Sequence, residues 1–309
     1  MILTVTLNAA LDITYRLPRL HTHTTNRVTE VTERPGGKGL NVARVLAALG
    51  HRTIATGFAG GGTGEALRAL LTQESDVTDA LVPVGGATRR TIAVVDETTG
   101  DTTQLNEPGP MVSPAEWDAF LGTYRELLGE ARAVALCGSL PPGVPVDVYA
   151  RLTRAARAAG VPVLLDTSGE PLRRGLAARP DLAKPNAEEL AALTGSTEPL
   201  RAARDARRRG AHTVAASLGA KGILAVTADG VWQAAPPRPI AGNPTGAGDS
   251  AVAGLLSGLV ENLPWPDRLI RAVALSAATV RAAAAGEFDP GTYEELLPRV
   301  VVTDHPTAA

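Results

Sequence analysis

Cysteine is nearly missing from this chain: Cys137 is the only one in 309 residues. A lone thiol cannot form an internal disulfide, so the fold must hold by packing, and a reducing compartment is expected. Aromatic residues are scarce too, at 3%, although hydrophobic residues make up 44%. The core must therefore be built from Ala, Val and Leu rather than from large rings. Excess charge of either sign is also lacking. A formal net charge of -2 gives no general attraction to nucleic acid or to a membrane surface. No apolar run approaches the length of a membrane span. The opening "MILTVTLNAALD" has no basic segment of the secretory kind. A cytoplasmic protein without nucleic-acid or membrane partners is expected, of a length that suits one large α/β domain or two small ones.

What the chain does have is alternation. "MILTVTLN", "RTIATGFAGG", "AVALCGSL", "VPVLLDTSG", "HTVAASLG" and "GILAVTADG" read as strands. Among them "GLNVARVLAALG", "GEALRALLTQE", "VDVYARLTRAARAAG", "NAEELAALTG", "LRAARDARRRGA", "GAGDSAVAGLLSGLVEN" and "DRLIRAVALSAATVRAAAAG" read as helices. Nearly continuous apolar strands spaced by helices predict a parallel sheet covered on both faces. Two stretches break the pattern. From "DITYRLPRL" to "RVTEVTERPGG", and along "TRRTIAVVDETTGDTTQLNEPG", polar and β-branched residues alternate. That predicts a small, half-exposed sheet beside the main one, with Thr-Gly turning the second stretch into a hairpin. The run "RAARDARRRG" reads as a solvated helix face.

Several turns could carry chemistry. In "NPTGAGDS" small residues precede Asp249 at a helix start. Backbone amides there can converge on an anion, and the carboxylate could accept a proton from an attacking hydroxyl. The same residues could be a glycine turn with Asp249 as a helix cap. "RPGGKGLNVAR" lets a ligand approach the backbone beside Lys38 and Asn41, or is an ordinary turn and cap. It lacks Walker A spacing, and "GFAGGGTGEAL" fails the dinucleotide fingerprint because Glu65 stands at the last glycine position. "AKPNAEEL" sets Asn186 and Glu189 on one face of a helix start, able to hold hydrated Mg²⁺ or simply to cap. "SLGAKG" could carry nucleotide phosphates or close a hairpin. Asp12 follows the first strand, where ligands of open α/β sheets gather, though it could equally form a turn. Arg89 and Arg90 alternate on a strand, so only one can face a cleft and offer a bidentate phosphate contact.

Taken together, "NAALD", "PGGKGLNVARVLAALG", "TRRTIAV", "GSLPPG", "KPNAEEL", "SLGAKG" and "NPTGAGDS", in this order, resemble the PfkB (ribokinase-like) carbohydrate kinases over nearly the whole chain. Within that family the chain is similar to the phosphosugar branch of 1-phosphofructokinases, tagatose-6-phosphate kinases and the minor 6-phosphofructokinase. "NRVTEVTERPGGKGLNVARVL" and "NPTGAGDS" look closest to the tagatose-6-phosphate kinase style.

The resemblance implies one ribokinase-like domain over 1–309, a three-layer α/β/α Rossmann-like body. A small β-sheet lid would take its strands from approximately 12–35 and 88–108, and would pair with a second subunit into a homodimer. It implies an ATP-dependent kinase of a phosphohexose with Asp249 as base. The amides of Gly246, Ala247 and Gly248 would form the anion hole. Asn186 and Glu189 would organise Mg²⁺ and the ATP phosphates, Glu189 through water. Ser217, Gly219 and Gly222 would line the nucleotide, and the helix near Ala278 would flank adenine. Asp12, Gly37, Lys38 and Asn41 would hold the sugar. Arg89 and Ser139 would hold its phosphate, with Arg27 from the partner's lid. The alternatives are a kinase of an unphosphorylated sugar or nucleoside, a nicotinamide dehydrogenase and a non-catalytic sugar sensor. The paired cations Arg89 and Arg27 speak against the first, the missing fingerprint against the second, and the intact GAGD against the third.

Overall fold

The computed structural model describes residues 1–305; positions 306–309 of the expected domain lie outside them. In chain order the elements begin with β1 (Ile2–Thr6), β2 (Ala10–Leu17), β3 (Glu30–Gly36), α1 (Lys38–Ala48), β4 (Thr53–Ala59), α2 (Gly61–Glu74) and β5 (Val77–Pro83). Then come β6 (Arg89–Asp96), β7 (Thr102–Asn106), α3 (Pro114–Leu128), β8 (Ala133–Cys137), α4 (Val148–Ala158), β9 (Val163–Asp166) and α5 (Gly169–Ala177). Next are β10 (Leu182–Ala183), α6 (Ala187–Thr194), α7 (Pro199–Arg208), β11 (Thr213–Ser217), β12 (Ile223–Val226) and β13 (Val231–Ala235). The chain closes with α8 (Ala247–Val260), α9 (Trp265–Thr279), α10 (Pro290–Leu296) and β14 (Val301–His305).

Ten strands form the main sheet in the order β14-β13-β12-β11-β10-β9-β8-β1-β4-β5. Pairing is parallel from β5 to β11. Beyond β11 it is antiparallel, which corrects the expectation of a parallel sheet throughout. The reason is the turn after β11. Gly222 takes φ 82, and a Cβ there would sit 1.9 Å from the Ala234 carbonyl oxygen. Only glycine lets the chain fold straight back at that point. "SLGAKG" is therefore a hairpin as well as a cavity edge.

Alternate residues of each buried strand feed opposite faces. Leu3 and Val5 join the core under α3 to α7, while Ile2 joins the core under α1, α8 and α9. The result is a three-layer α/β/α body. Four of its few rings, Phe58, Trp117, Phe120 and Tyr124, pack against one another between α3 and the sheet. The α8–α9 layer is built instead from small residues such as Ala251, Ala253, Ala272 and Ala274. Among the described residues no helix is long and apolar enough to cross a membrane.

The second sheet has four strands in the order β3-β2-β6-β7. Its register sorts the side chains. Asp12 lies opposite Arg34 and Thr91, on the polar face. Tyr15 lies opposite Val31 and Val94, and Ile92 opposite Ile13 and Leu105, all on the other face. One face thus turns carboxylate and guanidinium groups toward the main body, and the other is apolar and partly exposed.

Candidate active site

The C-terminal ends of the central strands meet the N-termini of α1 and α8, with the polar face of the small sheet alongside. Asp249 stands in the first turn of α8 and is only 7% exposed. Burial above all, then the nearby negative charge of Asp166, pushes its carboxyl up to about 6, while Asn41, Lys38 and Lys184 pull the other way. Asn41 Nδ2 donates to Asp249 Oδ2 at 2.8 Å. Asn41 Oδ1 is buried without a partner, an acceptor suited to a sugar hydroxyl. Asp249 does not act as a helix cap, because no side chain caps α8; Gly246 holds the cap position with φ 83.

The preceding turn offers fewer free amides than expected. Ala247 N–H already donates to the Pro244 carbonyl at 3.1 Å. The turn closes on itself there, so Ala247 is the exception among the three. The Gly246 and Gly248 amides have no acceptor among the described residues. Unused N–H groups at a helix start are what an incoming anion finds.

Lys38 meets a carboxylate outside the expected set. Its Nζ is 3.4 Å from both oxygens of Asp166. Burial opposes its charge, but Asp166, Asp249 and Glu189 outweigh that and hold Lys38 above the ordinary lysine value. It therefore pairs with the buried carboxylate at the end of β9. Lys184, two positions before Asn186, reaches the same carboxylate at 3.4 Å. Neither Asp166 nor Lys184 was singled out from the sequence. Both sit where β9 and β10 end, and that placement was the available signal, whereas Asp12, expected at the end of the first strand, lies inside β2 of the small sheet.

Asp12 occupies the far side. Burial raises its carboxyl to about 6, countered by Thr91, Arg89 and Arg44. Gly36 makes room for it, since a Cβ at that position would lie 2.1 Å from the Asp12 carboxylate. Gly37 follows as the cap residue of α1. Arg89 is half-buried and donates through Nε to the Asn8 carbonyl at 3.1 Å. Its Nη1 reaches Thr91 and the Glu107 carbonyl, and its Nη2 has no partner among the described residues. Arg90 points away and pairs with Glu107 at the surface. Asn8, unnoticed within "NAALD", is the connector: its side chain donates to Ser139 Oγ at 3.1 Å while its backbone holds Arg89. Arg27 is exposed in the loop joining β2 and β3 and is not brought to this cluster within one chain.

On the opposite side of Asp249 a cavity of about 820 Å³ opens. Ser217, Gly219 and Gly222 line one edge, Asn186 and Glu188 another, and Ala247 and Gly248 its inner end. Ile240, Val273, Ala277 and Val280 give it an apolar wall. Ala278 does not line it. That residue is fully buried, because one helical step turns it about 100° from Ala277. Asn186 and Glu189 form a reciprocal cap, each side chain accepting the other's backbone N–H at 2.8 Å. The cap holds Asn186 against Ser217 across a short bridge. Capping and ligand contact are compatible here, since each side chain spends one oxygen on the cap.

Three kinds of surface thus flank one buried carboxylate: an apolar cavity, unpaired amides with two lysines, and a polar sheet face with a half-buried arginine. Residues 5–290 match the family of pfkB carbohydrate kinases. The fold is similar to phosphofructokinase-2 from Escherichia coli in its tetrameric inhibited form, with 31% identity and a TM-score of 0.87 over 96% of this chain and 98% of that one. It is also similar to a Thermotoga maritima protein described as a possible 1-phosphofructokinase, with 29% identity and a TM-score of 0.90 over 99% and 100% of the two chains. A ribokinase from Arabidopsis thaliana, 23% identical with a TM-score of 0.74 over 96% of this chain and 98% of that one, shares the fold. The chain belongs to the pfkB family of carbohydrate kinases.

Proposed function

We propose that the protein transfers the γ-phosphoryl group of ATP to a hydroxyl of a ketohexose phosphate: fructose 1-phosphate, fructose 6-phosphate or tagatose 6-phosphate. The observation that carries this reading is Arg89, half-buried near Asp12 with an unused Nη2. A neutral sugar would leave that guanidinium idle, whereas a phosphate takes the N–H groups of such a fork. Escherichia coli phosphofructokinase-2 has been solved with fructose 6-phosphate, which supports a phosphorylated acceptor. Asp12 and the free Asn41 Oδ1 would take sugar hydroxyls, and Ser139, tied to Asn8, would complete the phosphate contact with Arg89. Asp249 would accept the proton of the attacking hydroxyl, held in position by Asn41. The Gly246 and Gly248 amides would meet the charge of the transferring group.

The cavity suits a nucleotide whose base rests on the Val273–Ala277 wall and whose phosphates point to Gly248. Mg²⁺ fits as a hydrated ion. Among the described residues no cluster of three His, Cys, Asp or Glu could cage a metal, yet Glu189 keeps one carboxylate oxygen outside its cap. Asn186 and Glu189 would hold the ion through water, and it would neutralise phosphate charge.

The small sheet would close over the sugar as a lid and exclude water. Its outer face exposes Val31 by 56% and Leu105 by 57%, on the side where Tyr15, Val94 and Ile92 also lie. Exposed apolar sheet faces mark contact surfaces, so we propose a homodimer through this face, which would also place the partner's loop with its arginine near the sugar phosphate. Sedimentation at micromolar concentration is expected to give a dimer, and the Val31→Asp variant a monomer. A dimer unaffected by that change would place the interface elsewhere.

The kinase reading is tested by Mg-ATP-dependent ADP release with fructose 1-phosphate, fructose 6-phosphate, tagatose 6-phosphate, free fructose and ribose. Strong turnover with one phosphohexose is expected. Turnover with free sugars only would remove the phosphate from the acceptor. The pH profile gives a second check. With the Asp249 carboxyl pushed up to about 6, kcat/KM should fall with unit slope below about pH 6, because the protonated base cannot accept the hydroxyl proton. A profile flat down to pH 5 would exclude Asp249 as base.

A further inference from the structure

Asp166 is the most conspicuous charge that the proposed reaction leaves unused. It ends β9, is 1% exposed, and its Oδ2 has no hydrogen-bond partner. Two ammonium groups flank it: Lys38 from α1 and Lys184 from the end of β10, each 3.4 Å away. A carboxylate buried for stability alone would have its lone pairs filled by near neighbours at shorter range. Here it stands between two loosely held cations.

The lysines are aimed. Lys184 Nζ lies 3.7 Å from where a Cβ on Gly248 would stand, against the turn whose amides are unpaired. Its side chain is 4% exposed, and Asp166 is its only ion-pair partner among the described residues. An ammonium carries three donors, so two remain for a ligand. Lys38 opens α1 three residues before Asn41, the side chain that donates to Asp249, and its Nζ closes on Asp166. The space bounded by Lys38, Lys184, Gly248 and Asp249 is thus ringed by donors, with the proton acceptor at its edge.

We propose that Lys184 and Lys38 hold the transferring phosphoryl group from two sides, as catalytic residues. Asp166 is the positioning residue that sets both. The proposal rests on the kinase reading. In the step itself, the sugar oxygen forms its bond to the γ-phosphorus as the bond from that phosphorus to the β–γ bridging oxygen breaks. The electron pair leaves on ADP and the hydroxyl proton goes to Asp249. The negative charge of the group in flight is met by the two ammonium groups. Asp166 repels that group and so cannot contact it, but it keeps both lysines from collapsing onto Asp249.

The test compares Lys184→Met, Lys184→Arg, Lys38→Met and Asp166→Asn with the wild type, each checked for folding by thermal denaturation and for Mg-ATP binding by calorimetry. Lys184→Met should lower kcat about a hundredfold or more, the scale of a lost transition-state donor, with both KM values within about threefold. Lys184→Arg should recover part of the loss, because charge is restored but not its placement. Asp166→Asn, the near-isosteric change, should lower kcat about tenfold.

The pH profile separates positioning from scaffolding. The groups that face Asp249 are Lys38 and Asn41 of α1, Cys137 of β8, Asp166 of β9 and Lys184 after β10. Removing the Asp166 charge should move the acid limb of kcat/KM to lower pH. Removing either lysine should move it to higher pH. A structural defect would not shift the limb in opposite directions. The proposal is overturned if Lys184→Met turns over within threefold of wild type, if it changes only the KM for ATP, or if the limbs do not separate. Should Lys184→Met not fold, Lys184→Arg with Asp166→Asn carries the same comparison. A wild type that releases no ADP with any phosphosugar would sink the kinase reading instead, and so the two failures are distinguishable.

Discussion

Asp249→Asn is expected to leave a folded, Mg-ATP-binding protein whose turnover falls at least about a hundredfold, the usual scale for a lost general base. Asn is nearly isosteric, and its amide can still meet Asn41, which now donates to Asp249 Oδ2 at 2.8 Å. What it lacks is a site for the hydroxyl proton. Binding should be spared, because the cavity proposed for the nucleotide is lined by Ala247 and Gly248 rather than by Asp249. The variant should also be more stable at neutral pH. The native carboxyl titrates at about 6 against an ordinary 3.8. The folded state therefore binds the proton more tightly than the unfolded chain. The stability this contributes is complete below pH 3.8 and lost as pH rises through about 6. Ionised Asp249 is a burden that Asn removes, by an amount of order 3 kcal/mol from a shift of about two units. Chemical denaturation at pH 8 should show the variant more stable, with the gap closing toward pH 4. Unchanged turnover would remove Asp249 from the role of base. A variant less stable at pH 8 would show that the Asn41 bond outweighs the burial of the charge.

The sequence was most readable where a backbone need and a side-chain need coincide. "GAGDS" at the start of an apolar helix specifies both a glycine turn and a carboxylate, and the structure has Gly246 capping α8 with Asp249 in its first turn, although the Ala247 amide is spent on Pro244. The alternation along Asp12–Leu17 and Arg89–Asp96 specifies a sheet with a polar face, and the register bears that out. Single charged residues inside apolar strands were harder. Asp166 reads as the last residue of "VLLD", and only folding brings it between Lys38 and Lys184, 128 residues away in the first case. Helical phase was the limit at Ala278, where a shift of one position separates a cavity wall from the core. The strand β13 was overlooked although Asp229-Gly230 marks the hairpin turn before it, and β14 was missed because a short polar edge strand lacks the apolar run of a buried parallel one. Helix α3 was legible and overlooked: Ser113 and Glu116 form a capping box with Pro114 between them, and Ser-Pro followed by Glu at that spacing is a helix-start signal in the amino-acid order alone.

Arg89→Ala should raise the KM for the phosphosugar ten- to a hundredfold while leaving free-sugar kinetics nearly unchanged. Arg90→Ala should change neither by more than about twofold. The contrast follows from one residue of strand register. Arg89 lies on the face of β6 that carries Thr91 and faces Asp12, whereas Arg90 is exposed and closes a surface pair with Glu107. Surface pairs of that kind contribute little, being screened by solvent. A hydrogen bond to a charged group in a partly dry site contributes about 1.5–3 kcal/mol, which converts to the expected rise in KM. Arg89 also has a structural share, since its Nε holds the Asn8 carbonyl and Asn8 holds Ser139. Arg89→Lys separates the two shares. Lysine keeps the charge but not the planar fork, so it should lose the Asn8 contact and retain part of the phosphate affinity. If Arg89→Ala raised KM equally for phosphorylated and free sugars, its role would be to support Asn8. The acceptor's phosphate would then have to be met by Ser139 and the partner's loop, and the apolar face of the small sheet would become the determinant of which sugars the enzyme accepts.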